Sequence, residues 1–518
     1  MDALTRLLFG AGRACPDAVA VMTPAGRPAW TYADLDAASA RLARALAWVG
    51  DGIGGEDVGV GDRVVVVAEK SPEVLALHLA CVRAGVVFVP LSTAYPPAEL
   101  AGLFQDAEPA LVVADPCVVV PPGAGYRVVT LDADGGGSLI DAAAQGAGGL
   151  TDASVLHQNL DAGDAQHLSD DDPAAMLYTS GTTGRPKGVV LSRGNLAVNA
   201  ETLARAWGFR PGDVLVHVLP LSHTHGLFVA AHATLVAGAS MLLLPRFDAA
   251  QVVVALPRAT VLMGVPTHYT RLLEHPGFDR AATAGMRLLT SGSAPMARQT
   301  HMAVRERTGH TVLERYGMTE TSILTANPLD GERRIGTVGP PLPGVGLRVV
   351  DDGDAVLAAG EVGGVQVRGP NVFAGYWRRP ELREVEFTPD GWFRTGDLGR
   401  LDADGYLEII DRDKDLVITG GLNVYPKQVE QALLDLDAVA DCAVVGLPDA
   451  DLGERVVAVV VGEPGARLDP DSLRAALRDR LAGYKVPKQV FVAEALPRNT
   501  MGKIEKARLR DSLLGQIR

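Results

Sequence analysis

The stretch Thr179-Ser180-Gly181-Thr182-Thr183-Gly184-Arg185-Pro186-Lys187-Gly188 carries the densest chemistry in the chain. It holds five hydroxyl or lysine side chains and three glycines in ten residues. Glycine lets backbone N–H groups approach an oxyanion closely. Serine and threonine add neutral donors, and Lys187 adds a positive charge. Such a set suits a polyphosphate. It is not a Walker A loop, because Gly188 stands where Ser or Thr must follow the lysine. The apolar run Ala174-Ala175-Met176-Leu177-Tyr178 precedes it and reads as a buried strand. A helical pattern begins near Asn195, so the stretch is expected to be a loop between a strand and a helix.

The elements that must hold this loop follow an α/β rhythm. Tyr32 to Val49 has helical spacing, with Thr31 as its N-cap. Arg63 to Ala68 is a buried strand, Pro72 to Ala84 a helix ended by Gly85, and Val86 to Val89 a strand. This predicts a mostly parallel sheet with helices on both faces. Residues 116–170 are rich in Gly, Ala and Asp and predict a loop-rich excursion. A chain of 518 residues exceeds one core and implies at least two domains. The formal net charge of −14 argues against nucleic acid as the main partner. Cys15, Cys81, Cys117 and Cys442 have no paired spacing, which implies a reducing, cytoplasmic setting. The N-terminus does not read as a signal peptide, and the apolar stretch Leu227 to Pro245 reads as core helix and strand rather than a membrane span.

More chemistry-bearing segments follow in order. Pro220-Leu221-Ser222-His223-Thr224-His225-Gly226 offers two histidines, open to a metal pair or to an ordinary core histidine. Thr267 is expected to cap a helix carrying Tyr269, Arg271 and Leu272. Arg287 to Pro295 is a strand feeding a small-residue turn, Ser291-Gly292-Ser293-Ala294. Leu313-Glu314-Arg315-Tyr316-Gly317-Met318-Thr319-Glu320 joins a hard oxygen ligand to a neutral phosphate donor. Val349 to Val367 reads as a small β region, followed by Trp392 to Asp397. Asp411-Arg412-Asp413-Lys414-Asp415 alternates in charge. Gly420-Gly421 permits close backbone approach, and Lys503 follows Gly502 in a polar turn near the end.

Taken together and in this order, these segments resemble the adenylate-forming enzymes: acyl-CoA synthetases, peptide-synthetase adenylation domains and luciferases. The resemblance covers nearly the whole chain. It implies a large N-terminal domain, residues 1–411, of mixed and parallel sheets with flanking helices and a small β region. A small mobile α+β lid, residues 412–518, would follow a hinge at 411–415 pivoting on Lys414. It also implies roles. Thr179, Ser180, Gly181, Thr182, Thr183, Gly184 and Lys187 would hold the ATP phosphates. Ser291, Gly292, Ser293 and Ala294 would pass flat against adenine, and Tyr316 would stack on it, framed by Glu314, Arg315, Gly317 and Met318. Thr319 would bind the α-phosphate and Glu320 would help hold Mg²⁺. Asp397 would accept the ribose hydroxyls, with Arg412 on the nucleotide. Gly420 and Gly421 would wall the pantetheine tunnel, and Lys503 would be the catalytic lysine. Asp411 stands where many relatives have Gly, which is expected to be tolerated.

Several segments resemble malonyl-CoA synthetases in particular. That likeness implies a distal-carboxylate site of Arg271, Ser293 and Arg315, with His225 lining the acyl pocket. Relatives often carry Met where this chain has Ile323, and the shorter branched side chain would admit a methyl group, hence methylmalonate. The implied reaction joins malonate to CoA with ATP, through an acyl-adenylate, releasing pyrophosphate and then AMP. Two alternatives stay open: a stand-alone enzyme loading a carrier protein, and a synthetase for another short acid. No carrier segment follows residue 518, which favours CoA. Acetylation of Lys503 by a lysine acetyltransferase would silence the first step by loss of charge.

Overall fold

The computed structural model describes residues 1–48, 58–123, 125–146, 168–180, 186–412, 415–420, 422–449, 452–499 and 503–517. Two large sheets share one continuous apolar core. The first has eight strands, in the order Ser322–Ala326, Leu313–Met318, Leu288–Ser291, Val261–Gly264, Val214–His217, Ser240–Leu243, Val19–Met22 and Pro28–Thr31. Its inner strands are parallel and buried, as their near-continuous runs of Val and Leu require. The register sets His217 beside Met263, Gly264 beside Ser291, and Ser291 beside Glu314. The carboxyl ends of Val214–His217, Val261–Gly264 and Leu288–Ser291 therefore lie side by side, at the edge where ligands of open α/β sheets bind.

The second sheet has seven strands and carries the phosphate hairpin. Here the expected loop-to-helix step is corrected. Pro173–Ser180 pairs antiparallel with Pro186–Ser192, so a second strand stands between loop and helix. Gly181, Thr182, Thr183 and Gly184 lie outside the described residues. The helix Arg193–Ala206 starts two residues before Asn195, because Ser192 and Asn195 form a reciprocal capping box. Its first residue, Arg193, is fully buried and holds Asp2 at 2.9 Å. The N-terminal helix is thereby tied to the root of the hairpin.

Other expectations hold closely. The helix Tyr32–Trp48 has Thr31 at its start, whose Oγ1 accepts from the Asp34 N–H. The helix Pro72–Ala84 ends at Gly85 with φ +69°. Two do not. The span 116–170 contains the edge strand Arg127–Thr130 and the helix Ser138–Gly146. Thr267 does not cap its helix, which runs Pro266–Glu274 from Val265 with no side-chain cap.

A four-stranded antiparallel sheet, Gly346–Val350, Gly363–Arg368, Phe393–Leu401 and Leu407–Arg412, forms the small β region. After it comes a smaller α+β body. In its hairpin Val439–Asp449/Gly453–Gly462, the second strand pairs antiparallel with Val417–Thr419 of the short pair Val417–Thr419/Leu422–Val424 at its start and parallel with Gln489–Val492 further along. The helices Pro426–Leu434, Pro470–Arg478 and Lys506–Ile517 cover it. Its two apolar clusters contain no residue of the main core. Among the described residues, no helix is long and apolar enough to cross a membrane.

Candidate active site

On the nucleotide side, the strand Leu288–Ser291 ends in the turn Gly292-Ser293-Ala294. Ser293 has φ +68°, a region that non-glycine residues seldom occupy and that concentrates at functional sites. Gly292 is dictated by space: a Cβ there would lie 2.4 Å from Arg315 Cζ. Glu314 was expected at the nucleotide, but its carboxylate turns elsewhere. It accepts from the Met296 N–H at 3.0 Å and pairs with His301 Nε2 at 2.8 Å, so it braces the turn. Tyr316 donates to Asp397 Oδ2 at 2.5 Å, and Arg412 Nε lies 3.3 Å from Asp397 Oδ1. Three of the expected nucleotide residues therefore meet at one carboxylate. Burial, and then the charge of Asp397, push the Tyr316 phenol well up. Gly317 sits opposite Ile323, where a Cβ would lie 1.8 Å from Ser322 O. Met318 ends the same strand, half-buried.

On the acyl side, Arg315 is 4% exposed. Its Nε and Nη2 have no hydrogen-bond partner, and burial pushes its pKa down to about 9. It stays charged at neutral pH. Beside it, His225 Nδ1 lies 3.2 Å from Ser293 Oγ, and His225 Nε2 is buried without a partner. Burial, reinforced by the Arg315 charge, holds His225 well below the usual histidine range. His268 is pushed to about 3 and His223 to about 4, so these imidazoles are neutral. Among the described residues, no group of three or more His, Cys, Asp or Glu is arranged to hold a metal. Arg271 is exposed and makes no ion pair with Glu274 or any other described residue. Its charge acts on His268, one turn back on the same helix. Ile323 is buried in the main core and its carbonyl accepts from Asn199 at 3.0 Å. Lys70 is a basic residue that the sequence reading passed over, and burial pushes its pKa well down. It donates to the carbonyl of His217 at 2.7 Å, at the carboxyl end of the strand Val214–His217.

On the phosphate side, Thr179 pairs with Lys187 and Ser180 with Pro186 across the hairpin. Lys187 Nζ lies 2.9 Å from Glu386 Oε1 and 4.7 Å from the centre of the Tyr376 ring. Tyr376 in turn donates to Glu320 Oε1 at 3.1 Å. Glu320 is 5% exposed, and burial raises its pKa. Thr319 is half-buried beside it, and its hydroxyl makes no hydrogen bond among the described residues. Glu386 and Tyr376 were not foreseen. Neither stands in a run whose residue types suggest a site. The fold brings them in by pairing Gly375–Tyr376 with the hairpin strand.

Toward the smaller body, Asp411 belongs to the strand Leu407–Arg412 rather than to a loop. Its carboxylate accepts from the N–H of Arg412 and of Lys427, each at 2.8 Å. Lys427 is the second residue of the helix Pro426–Leu434. Lys506 pairs with Glu430 at 2.7 Å, and its charge reaches Asp411. Lys414 and Gly421 lie outside the described residues. Gly420 has φ +57° and sits between the exposed Ile418 and Leu422. Lys503 is exposed. Its N–H donates to Asn499 Oδ1 at 3.0 Å and its carbonyl accepts from the Asn499 N–H at 2.9 Å, so both of its main-chain groups are tied to Asn499.

This arrangement has known counterparts. A family profile described as AMP-binding enzyme matches residues 9–377, and one for the AMP-binding enzyme C-terminal domain matches 428–503. The chain is 35% identical over 494 residues to a malonate–CoA ligase of Arabidopsis thaliana, covering 88% of this chain and 79% of that one. It is 36% identical over 513 residues to a sulfoacetate–CoA ligase of Cupriavidus necator, covering 98% and 97%. ATP-bound MatB from Rhodopseudomonas palustris superposes with a TM-score of 0.89 at 47% identity, over 98% of each chain. Apo MatB from the same organism gives 0.79 at 48% identity, over 99% of each. The chain belongs to the AMP-binding enzyme family, and within it to the acid–thiol ligases.

Proposed function

We propose that the enzyme joins malonate to CoA at the expense of ATP, through a malonyl-adenylate, releasing pyrophosphate and then AMP. The observation that carries this reading is Arg315. A guanidinium buried against Gly292, with two unpartnered nitrogens, has lost water and gained no anion. The distal carboxylate of a dicarboxylic acid supplies that anion, with Ser293 adding a hydroxyl and His225 a neutral imidazole. Arg271, unpaired with any described residue, is the second candidate cation. The Arabidopsis relative named for malonate supports the reading. The Cupriavidus relative named for sulfoacetate supports a second, also with an anion at each end, so a short sulfonated acid is the alternative. Methylmalonate is a further substrate if Ile323 lines the pocket. A carrier-protein thiol in place of CoA has no specific observation in its favour.

Catalysis would rest on position and charge. The proximal carboxylate is its own nucleophile and needs no base. Lys187, Thr179, Ser180 and the residues 181–184 would cradle the phosphates, and Thr319 would donate to the α-phosphate. Glu320 fits a divalent cation: it is a hard oxygen donor, buried and met by one hydroxyl, with the nucleotide left to supply further oxygens. Bound Mg²⁺ would neutralise charge on the phosphates. Asp397 would exchange the Tyr316 hydroxyl for ribose hydroxyls, freeing the ring to stack. Lys503 would steady the charge of the first step. A lid hinged at residues 411–415 about Lys414 would then withdraw it and bring Gly420 and Gly421 to the thiol's path. The four cysteines are unpaired, which agrees with a cytoplasmic setting. An acetyltransferase acting on Lys503 has no support in the fold or the relatives and is not proposed.

The test is a thioester-formation panel across mono- and dicarboxylic acids. Arginine pairs with carboxylates bidentately and lysine does not. Arg271→Lys and Arg315→Lys are each expected to raise the KM for malonate at least tenfold, or about 1.4 kcal/mol. A wild-type preference for acetate or a fatty acid over malonate would overturn the reading.

A further inference from the structure

Lys187 is engaged before any nucleotide arrives. Its ammonium sits between the Glu386 carboxylate and the Tyr376 ring, and the lysine and glutamate side chains are only 11% and 23% exposed. Glu386 ends the helix Glu381–Glu386, and its neighbour Phe387 is packed against Phe373 and Phe393. The carboxylate therefore stands on a firm footing. Tyr376 links this pair to Glu320, and Glu386 acts on Glu320 through its charge. Lys187, Glu320 and Glu386 together carry one positive and two negative charges. A polyphosphate entering here meets a cation already committed and an anion beside it.

We propose that Glu386 is a positioning residue: it is the resting partner that Lys187 exchanges for the outer phosphates. This rests on the reading of Lys187 as a phosphate contact. As ATP binds, the ammonium leaves Glu386 for a β- or γ-phosphate oxygen. As pyrophosphate departs, Glu386 takes the lysine back. The exchange weakens the hold on ATP and on pyrophosphate alike and speeds pyrophosphate release. AMP has no outer phosphates and does not feel it.

Calorimetric titration of the full-length enzyme with MgATP, magnesium pyrophosphate and AMP, without acid or CoA, tests this. Glu386→Gln keeps the shape and removes the charge. It is expected to tighten ATP and pyrophosphate at least about threefold, the scale of a partly exposed charge pair, and to leave AMP unchanged. The AMP titration also reports that the variant is folded. Lys187→Met is expected to weaken ATP and pyrophosphate and to spare AMP. In the Lys187→Met background, adding Glu386→Gln is expected to recover less than it gains alone, since there is no lysine left to exchange. If Lys187→Met leaves pyrophosphate affinity intact, the phosphate role of Lys187 is what fails. If Lys187→Met weakens it while Glu386→Gln changes nothing, or shifts AMP as much as ATP, the exchange is refuted.

Discussion

Arg315 and Glu320 share one strand and the turn that follows it, and burial strains them in opposite senses. The guanidinium is pushed down to about 9 and the carboxyl is raised above its usual range. Each charge is held out of water without a full partner, a pattern that concentrates at functional sites. Glu320 gives this a measurable form. Its folded pKa lies above that of the unfolded chain, so its ionisation costs stability. The cost is absent below the ordinary carboxylate range and grows as pH rises through the raised value. Glu320→Gln is therefore expected to melt with the wild type in acid and above it near neutrality, while losing adenylate formation. Melting curves from acid to neutral pH check it, and a variant that melts lower at neutral pH contradicts it. The sequence pointed to both residues through motif resemblance. That Arg315 lacks an anion was invisible there, because the absence of a partner is a property of the packed neighbourhood. Glu386 was beyond reach for the same reason. It is the third glutamate of Glu381-Leu-Arg-Glu-Val-Glu386, and only folding sets it against Lys187.

At the level of elements, parallel strands and capped helices were legible. Val64 to Val67 and Leu75 to Val82 are buried on all sides or punctuated by Ser71 and Gly85, and such patterns leave few choices. The misreadings share a cause. The strand Pro186–Ser192 opens on Pro-Lys-Gly, residues that usually break strands. Its pairing comes from the preceding strand and from Gly375–Tyr376, far along the chain. Likewise Arg127–Thr130 is an edge strand whose partner is Leu111–Ala114. Tertiary pairing overrode local preference in both. Gly317 is the converse case, a glycine foreseen as part of a motif. Its necessity is steric, since Ser322 O occupies the place of any Cβ.

In the whole molecule, the smaller C-terminal body has apolar clusters of its own, so it can turn without exposing the main core. Lys503 belongs to that body and would be needed in only one of the two half-reactions. Lys503→Ala is expected to abolish pyrophosphate exchange and to spare thioester formation from supplied acyl-adenylate. Exchange at near the wild-type rate would remove Lys503 from the first step. Asp411 bears on the same movement. Its carboxylate ties the last strand of the small β region to the first turn of the helix Pro426–Leu434, on the two sides of the proposed pivot. A glycine there would leave that helix start ungripped. If the proposed lid movement holds, the consequence is one of timing: the grip would lengthen the stay of the lid where the adenylate is made. Asp411→Asn keeps the shape but weakens the grip by about 1 kcal/mol, a factor of about five. Rapid-quench measurements are expected to show adenylate handed to the thiol sooner, with no faster pyrophosphate burst. Equal changes in both phases would deny Asp411 this part. An enzyme so paced keeps its mixed anhydride sheltered from water until the thiol is due.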